Sequence, residues 1–348
     1  MIDNFFEKNI LKSSPYIIAE IGINHNGSLE LAKKMILSAK KSGANCVKFQ
    51  KFIADDYISK YAGKAKYQSS YLKLKKKSQL EIIRESQLDI NQIIYLKNFS
   101  KKNKIDFLCT PFEISSLKEL IEIGVPAIKI SSDNLNNILF LKEAAKSKLP
   151  ILLSTGMSTF YEVKKAVSIF KKYQNPLLVF QCTSNYPSNI KNSNVAVLSK
   201  FKNFFKCHIG LSDHTNSIVP AIVAVSLGAV AIEKHFTISR KLPGIDQKAS
   251  IEPHELKSLV TKCKEAKLAL GTDEKKVTKE EKNTINAARR SIVLNLDLEK
   301  GMIIKKEMIE IKRPGTGISP DNYKKILGKK LLFSKKKDQI LQWRDIQK

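Results

Sequence analysis

Nearly unbroken apolar runs recur along the chain, and eight of them end on polar groups. They are PYIIAEIGIN from Pro15, ANCVKFQKF from Ala44, IDFLCTPF from Ile105 and AIKISS from Ala127. PILLSTGM from Pro150, PLLVFQCTS from Pro176, CHIGLSDHT from Cys207 and AVAIEKHFT from Ala229 follow. Continuous rather than alternating apolar character is the pattern of parallel strands covered on their outer faces. Helical patterns lie between them. SLELAKKMILSAKKSG places Leu29, Ala32, Met35, Ile36 and Ala39 on one face and stops at Gly43. NSIVPAIVAVSLGA reads as a second, more apolar helix. Eight β/α units over about 220 residues predict an α/β chain folded as a closed (β/α)8, or TIM, barrel. An open doubly wound sheet is the rival. The count of eight and the lack of a GxGxxG turn after the first strand argue against it. DDYISKYAGKAKYQSSYLKLKKKSQ, between the second and third strands, reads as an insertion over the barrel mouth.

Past the eighth strand the pattern changes. PGIDQKASIEPHEL gives a polar turn and a helix start, and that helix runs to about Gly271. TDEKKVTKEEKNTINA has almost no apolar content and reads as a linker. From Ala288 onward, short pieces rich in Ile, Val and Leu alternate with turns. The expected division is a barrel over 1–270, a linker over 271–287 and a small β-rich domain over 288–348.

An unpaired charge is costly to bury, so polar groups at strand ends must be solvated, paired or bound to a ligand. The first strand carries Glu20, Asn24 and His25, the second Lys48 and Gln50, the third Thr110. The fourth carries Lys129, Ser131 and Ser132, the fifth Ser154 and Thr155, the sixth Thr183, Ser184 and Tyr186. The seventh carries Ser212, Asp213 and His214, the eighth Glu233 and His235. In a barrel these ends face one mouth, where active sites of the fold sit.

Neighbouring strands lie about 4.8 Å apart, so His214 and His235 could reach one metal ion. Histidine with oxygen ligands suits Mn²⁺, Co²⁺ or Zn²⁺. The alternative is one structural and one hydrogen-bonding histidine. Lys48 and Lys129, with the hydroxyls of Thr110, Ser132, Ser154, Ser184 and Ser212, suit a small polyanion such as a phosphorylated acid. Glu20, Asp213, Glu233 and Asp246 are candidates for proton transfer or for orienting the histidines. No GxSxG or P-loop occurs, so covalent hydrolysis and nucleotide chemistry fit poorly.

The net charge of +28 raises a nucleic-acid reading. Only six of the 61 basic residues are arginine, the side chain suited to forked phosphate contacts, and the lysines are spread over the whole chain. Lysines interleaved with stacking aromatics are also missing, so no nucleic-acid partner is expected. No apolar run approaches the roughly 18–20 residues of a membrane span, and the start does not read as a signal peptide. Five scattered cysteines without a CxxC fit reduced thiols and a cytoplasmic location.

EIGINHNG, VKFQ, CTPF, KISS, LSTGM, CTSNYP, GLSDHT, EKHFT, PGIDQKASIEP and KRPGTGI occur in this order. As an ordered set they resemble the bacterial sialic acid synthase family, whose members make nonulosonates (nine-carbon 2-keto-3-deoxy sugar acids). The tail resembles the antifreeze-like (SAF) domain that ends these synthases. The resemblance implies a barrel with that domain attached, in a domain-swapped homodimer. It implies condensation of phosphoenolpyruvate with an N-acetylated mannosamine-type aldose, releasing phosphate. N-acetylneuraminate is the first expected product. A legionaminate or pseudaminate, made from a 2,4-diacetamido-trideoxyhexose, is the alternative. The metal, Mn²⁺ with Mg²⁺ or Co²⁺ as alternatives, is expected on His214 and His235. Lys48, Thr110, Lys129, Ser154 and Ser212 match phosphoenolpyruvate contacts, and Ser132 and Ser184 are further substrate-binding candidates. Gln50, Tyr186 and Asp246 match the metal or sugar side, and Arg313 would contact the N-acetyl group. Glu20 is the candidate for handling a proton. Two departures stand out. Many members carry an acidic residue five positions after the lysine of KISS, where this chain has Asn134 preceded by Asp133. Ser184 stands where asparagine is common.

Overall fold

The structure, a computed structural model, describes residues 5–11, 15–63 and 77–347. It divides into two compact units, Met1–Gly271 and Thr272–Lys348.

The first unit is a parallel eight-stranded barrel. Its strands are β1 (Tyr16–Gly22), β2 (Cys46–Lys51), β3 (Asp106–Pro111), β4 (Ile128–Ile130), β5 (Ile151–Ser154), β6 (Leu177–Cys182), β7 (His208–Asp213) and β8 (Ala231–His235). Paired neighbours run in the order β3-β2-β1-β8-β7-β6-β5-β4. β3 and β4, at the ends of that order, lie side by side and close the cylinder. Asn134 bridges this seam, its amide Nδ2 donating to the Phe112 carbonyl at 2.9 Å. β4 is shorter than its apolar run because Ser132–Asn134 turns into a 3-10 helix.

Side chains alternate across a strand, and this alternation builds the barrel's layers. The outward set, such as Ile17, Val47, Phe107, Ile151, Val179 and Ile232, packs under the helices as one large buried core. Those helices are amphipathic and conventionally capped: Ser28 accepts from the Leu31 amide at the start of Leu29–Lys41, and Thr159 forms a capping box on Phe160–Lys172. The inward set starts apolar at the barrel floor, with Tyr16, Ile18, Cys46, Leu108, Leu152 and Leu178. Phe5, Phe6 and Ile10 join that cluster and plug the floor from below. Two residues further up, the inward columns of most strands become polar; in β6, Leu178 is followed by Phe180 and then Cys182. That change marks the top of the core and the base of the site.

A satellite cluster, containing Ile23, Phe52, Ile58, Ile82, Ile83 and Ile245, lies beside the mouth. Part of it comes from the segment expected as an insertion, where short helices form at Ala54–Tyr57 and Gln79–Glu85. The middle of that segment, residues 64–76, lies outside the described residues.

In the second unit, β9 (Ser291–Leu294) pairs antiparallel with β10 (Ile309–Lys312). Ile292, Leu294, Leu298, Ile304, Ile318 and Leu341 form its own core. The stretch read as a linker contains the helix Glu281–Ala288. None of that helix's residues is buried, which explains its polar composition. Arg313 follows β10 and is exposed.

Candidate active site

A cavity of about 330 Å³ opens where the inward columns turn polar. On β1 and β2 it is lined by Glu20, Lys48 and Gln50; on β3 and β4 by Thr110 and Lys129. Ser132, Ser154, Ser184 and Tyr186 line it from the ends of β4, β5 and β6. Ser212, His214, Glu233, His235 and Asp246 complete the ring. Most of the residues singled out in the barrel sequence thus share one cavity, whereas Asn24, His25, Thr155, Thr183 and Asp213 do not line it. Arg313 belongs to the other unit.

Not every polar strand end faces the mouth. Asn24 donates to the Phe236 carbonyl and to Ser250 Oγ. Thr155 and Thr183 bond the carbonyls of Phe180 and Asn192. His25 is buried beside Phe49, its Nδ1 accepting from the Gly27 amide, and burial pushes its pKa down to about 4. Asp213, expected as a proton-transfer candidate, points behind the wall: Lys234 Nζ donates to its Oδ2 at 2.6 Å. The pleat accounts for this. Ser212 and His214 share one face of their strand and Glu233 and His235 share one face of theirs, so Asp213 and Lys234 face outward.

Lys234 also donates to the carbonyls of Thr215 and Ser217, at 2.5 and 3.0 Å. It ties together the two strand ends that carry the histidines. Lys234→Met would leave Asp213 buried without its cation. The expected cost is about 3–5 kcal/mol of stability, read from urea unfolding midpoints. A loss below about 1 kcal/mol would contradict this account.

The cavity base is a four-charge network. Lys48 Nζ lies 2.8 Å from Glu20 Oε2, 3.8 Å from Glu233 Oε1, and donates to Thr110 Oγ1 at 2.9 Å. Lys129 Nζ donates to Ser154 Oγ at 2.6 Å and lies 3.5 Å from Glu233 Oε1. Ser212 Oγ donates to the same Glu233 oxygen at 3.1 Å. Gln50 Nε2 donates to Glu20 Oε1 at 2.8 Å. Burial opposes charge on both lysines, but the outcomes differ. The close Glu20 contact and Glu233 raise the Lys48 pKa, whereas burial keeps that of Lys129 below its ordinary value. Burial likewise raises the Glu20 pKa. For Glu233 the two lysines outweigh burial and lower it. Glu233 is therefore the hub of the network, which sequence reading had placed only among several carboxylates.

The histidines lie tilted to one another beside one aromatic ring. Their ring centroids are 5.2 Å apart, and Tyr186 lies 4.2 Å from His214 and 5.5 Å from His235. His214 Nδ1 is 2.8 Å from the Thr183 carbonyl, which fixes a proton there. Burial opposes charge on the ring, but the Cys182 thiol and that carbonyl raise its pKa, so Nε2 becomes a ligand atom once the ring gives up its second proton. Burial, with the nearby charges of His214, Lys48 and Lys129, holds His235 neutral. Its Nδ1 is buried without a hydrogen-bond partner, 3.8 Å from Asp246 Oδ2. Burial first, then Glu20, raise the Asp246 carboxyl to about 7 against the pull of His214. Among the described residues no cluster of three or more His, Cys, Asp or Glu side chains forms a metal cage. An orphaned imidazole nitrogen, a second imidazole of fixed tautomer and a nearby carboxyl nevertheless fit a divalent ion with an open coordination shell.

Three hydroxyl and thiol groups converge on Gly156. Its amide donates to Ser132 Oγ at 2.9 Å, and Cys182 Sγ lies 3.6 Å from Ser132 Oγ and 4.0 Å from Ser184 Oγ. The seam explains the KISS departure. Asn134 is buried, donates to Phe112 and accepts from Asn137 Nδ2, so it serves the fold. Asp133 instead lines the cavity rim, accepting from the Tyr57 hydroxyl at 2.8 Å.

Barrel, paired lysines, hydroxyl cluster and imidazole pair together define an enzyme site for a small polyanion. The chain belongs to the NeuB family, whose profile matches residues 35–275, and a SAF domain profile matches 289–347. It is 40% identical to an N,N'-diacetyllegionaminic acid synthase of Campylobacter jejuni over 93% of this chain and 98% of that one. It is 38% identical to the enzyme of the same name from Legionella pneumophila, over 95% and 94%. It also resembles the crystal structure of an N-acetylneuraminic acid synthetase from Leptospira borgpetersenii in complex with citrate. That match has a TM-score of 0.71 and 35% identity, covering 78% of this chain and 90% of that one. Among the described residues no helix is long and apolar enough to cross a membrane.

Proposed function

We propose that the protein condenses phosphoenolpyruvate with a 2,4-diacetamido-2,4,6-trideoxymannose-type aldose, giving an N,N'-diacetyllegionaminate-type acid and phosphate. The carrying observation is the four-charge base beside the histidine pair, set in a family whose similar members bear the legionaminate name. Of the two products considered from sequence, those similarities favour legionaminate over N-acetylneuraminate.

In this reading Lys129, Ser154, Ser212 and Lys48 take the carboxylate of phosphoenolpyruvate. The Ser132, Ser184 and Gly156 cup takes its phosphate. The lysines are already offset by Glu20 and Glu233, so a bound trianion calls for a further cation. His214 and His235 would hold Mn²⁺, Mg²⁺ or Co²⁺. When bound, that ion would supply Lewis-acid polarisation of the aldose aldehyde. The enol carbon C3 bonds to aldehyde C1, water adds at C2, and the C2–O bond to phosphate breaks. Glu20 and Gln50 orient the water-side groups. Asp246, with a carboxyl near neutrality, exchanges a proton on the aldehyde side. The electrostatic base holds charge where it develops. Arg313, reaching the sugar's N-acetyl group from a partner chain in a swapped homodimer, belongs to the same proposal.

The test is phosphate release from phosphoenolpyruvate with Mn²⁺, the diacetamido aldose and an EDTA-treated control, with the product weighed by mass spectrometry. Release that needs both aldose and metal is the expected result. Release that persists after EDTA, or that ignores the aldose, would sink the proposal.

A further inference from the structure

The cavity has two chemically distinct halves. Its base is charged, as described. Its outer wall is apolar, built from Ile23, Phe52, Ile58, Ile83, Phe112 and Ile245. These side chains come from the ends of β1, β2 and β3, from the helical segment after β2, and from the loop after β8. They pack on one another as the satellite cluster, with Phe112 held edge-on to Phe52 at 5.9 Å. Ile58, Ile83 and Ile245 are buried in that cluster and still line the cavity, so the wall is formed before any ligand arrives.

We infer that this wall is the subsite for the non-reacting end of the aldose, and that it selects a methyl substituent over a free hydroxyl or phosphate. The inference rests on the synthase reading. Phosphoenolpyruvate occupies the charged base and the aldehyde end must meet it there, so the far end of the sugar lies against the outer wall. A methyl group gains there from burial, whereas a hydroxyl against these side chains loses water and can recover a partner only from the other lining groups, Tyr57, Gln79 and Asp133. A phosphate meets the Asp133 carboxylate at the rim, fixed by the Tyr57 hydroxyl. The lysines lining the cavity, Lys48 and Lys129, are paired at the base. A wall of this kind gives about 10- to 200-fold discrimination per group.

The experiment uses the full chain. kcat/KM is measured for the 2,4-diacetamido-2,4,6-trideoxy aldose, for N-acetylmannosamine and for its 6-phosphate, with wild type, Ile58→Thr and Ile83→Thr. The wild type is expected to rank them in that order. Each variant is expected to lose about 5-fold or more in the ratio of the first sugar to the second, with KM for phosphoenolpyruvate unchanged. A phosphoenolpyruvate-induced rise in Tm reports that the variant is folded. Should a threonine variant lose that rise, Ile58→Val and Ile83→Val, which shorten without adding a hydroxyl, are expected to lower the same ratio about 2- to 4-fold. Equal losses for both sugars, or a wild type without preference, would overturn the inference and leave the synthase reading standing. No phosphate release with any aldose would overturn both.

Discussion

Lys129→Met is expected to raise the KM for phosphoenolpyruvate about 100-fold or more and to leave the barrel folded. The side chain is buried and its ammonium reaches Ser154 Oγ and Glu233 Oε1. Methionine keeps most of the volume and removes the charge. Truncating one member of a buried charge pair costs about 2–5 kcal/mol of ligand binding, and about 2.7 kcal/mol corresponds to 100-fold. Folding is affected less, for two opposing reasons. Burial already lowers the Lys129 pKa, so the native state strains to keep it charged, and methionine relieves that strain. Against this, Glu233 keeps Lys48 only at 3.8 Å. The two effects partly offset, and because Glu233 also keeps the Ser212 hydroxyl at 3.1 Å the cost is smaller than at Lys234. Calorimetric titration with phosphoenolpyruvate and a thermal melt separate binding from stability. Unchanged affinity would remove Lys129 from the anion site. A collapsed melt would make it a structural ion instead.

The contrast with Lys234 shows what the sequence could and could not disclose. Both lysines sit in apolar strand runs, and both are buried. Lys129 faces the cavity and Lys234 the outer shell, and the strand pleat decides which. The eight strands are legible because parallel strands buried on both faces are continuously apolar, and because each run breaks at Pro, Gly or a charged stretch. The ring of site residues is legible because a polar or charged group closes each apolar run, and most of these groups face the mouth. Register is less legible. Asn24, Thr155, Thr183 and Asp213 look like site residues in one dimension, but their side chains bond backbone or a neighbouring lysine behind the wall. Counting by twos from Ser212 and His214 would have removed Asp213, and counting back from His235 would have raised Glu233. The apolar wall was invisible for another reason. Its members come from loops and a helical segment separated by up to about 220 residues of chain, and isoleucines there look like any other core residue. The helix at 281–288 escaped because a polar helix with no buried face carries no periodic signal. Asn134, a departure from the family's acidic residue in one dimension, has a partner for its amide at the barrel seam.

Gly156→Ala tests the phosphate cup by filling it. A Cβ on Gly156 would collide with Ser184 Oγ and would stand 2.8 Å from Ser132 Oγ and 3.2 Å from Cys182 Sγ. The glycine is thus required by the approach of three side chains, and its amide already donates to one of them. The hydroxyls can rotate away, so the chain should fold, with an overpacking cost of about 1–3 kcal/mol. Rotation, however, moves the donors that converge on the cup and puts a methyl where a phosphate oxygen is proposed to sit. The expected result is a loss of about 100-fold in phosphoenolpyruvate affinity, together with a fall of a few degrees in Tm. Ser184→Gly in the same background removes the worst collision. It should restore Tm while affinity stays low, because one donor and the space remain lost. Ser184→Asn alone should keep affinity within about 10-fold, since the amide still donates into the cup. If Gly156→Ala bound phosphoenolpyruvate as the wild type does, the phosphate would have to sit elsewhere along the mouth, and the assignment of Ser132 and Ser184 would fall with it.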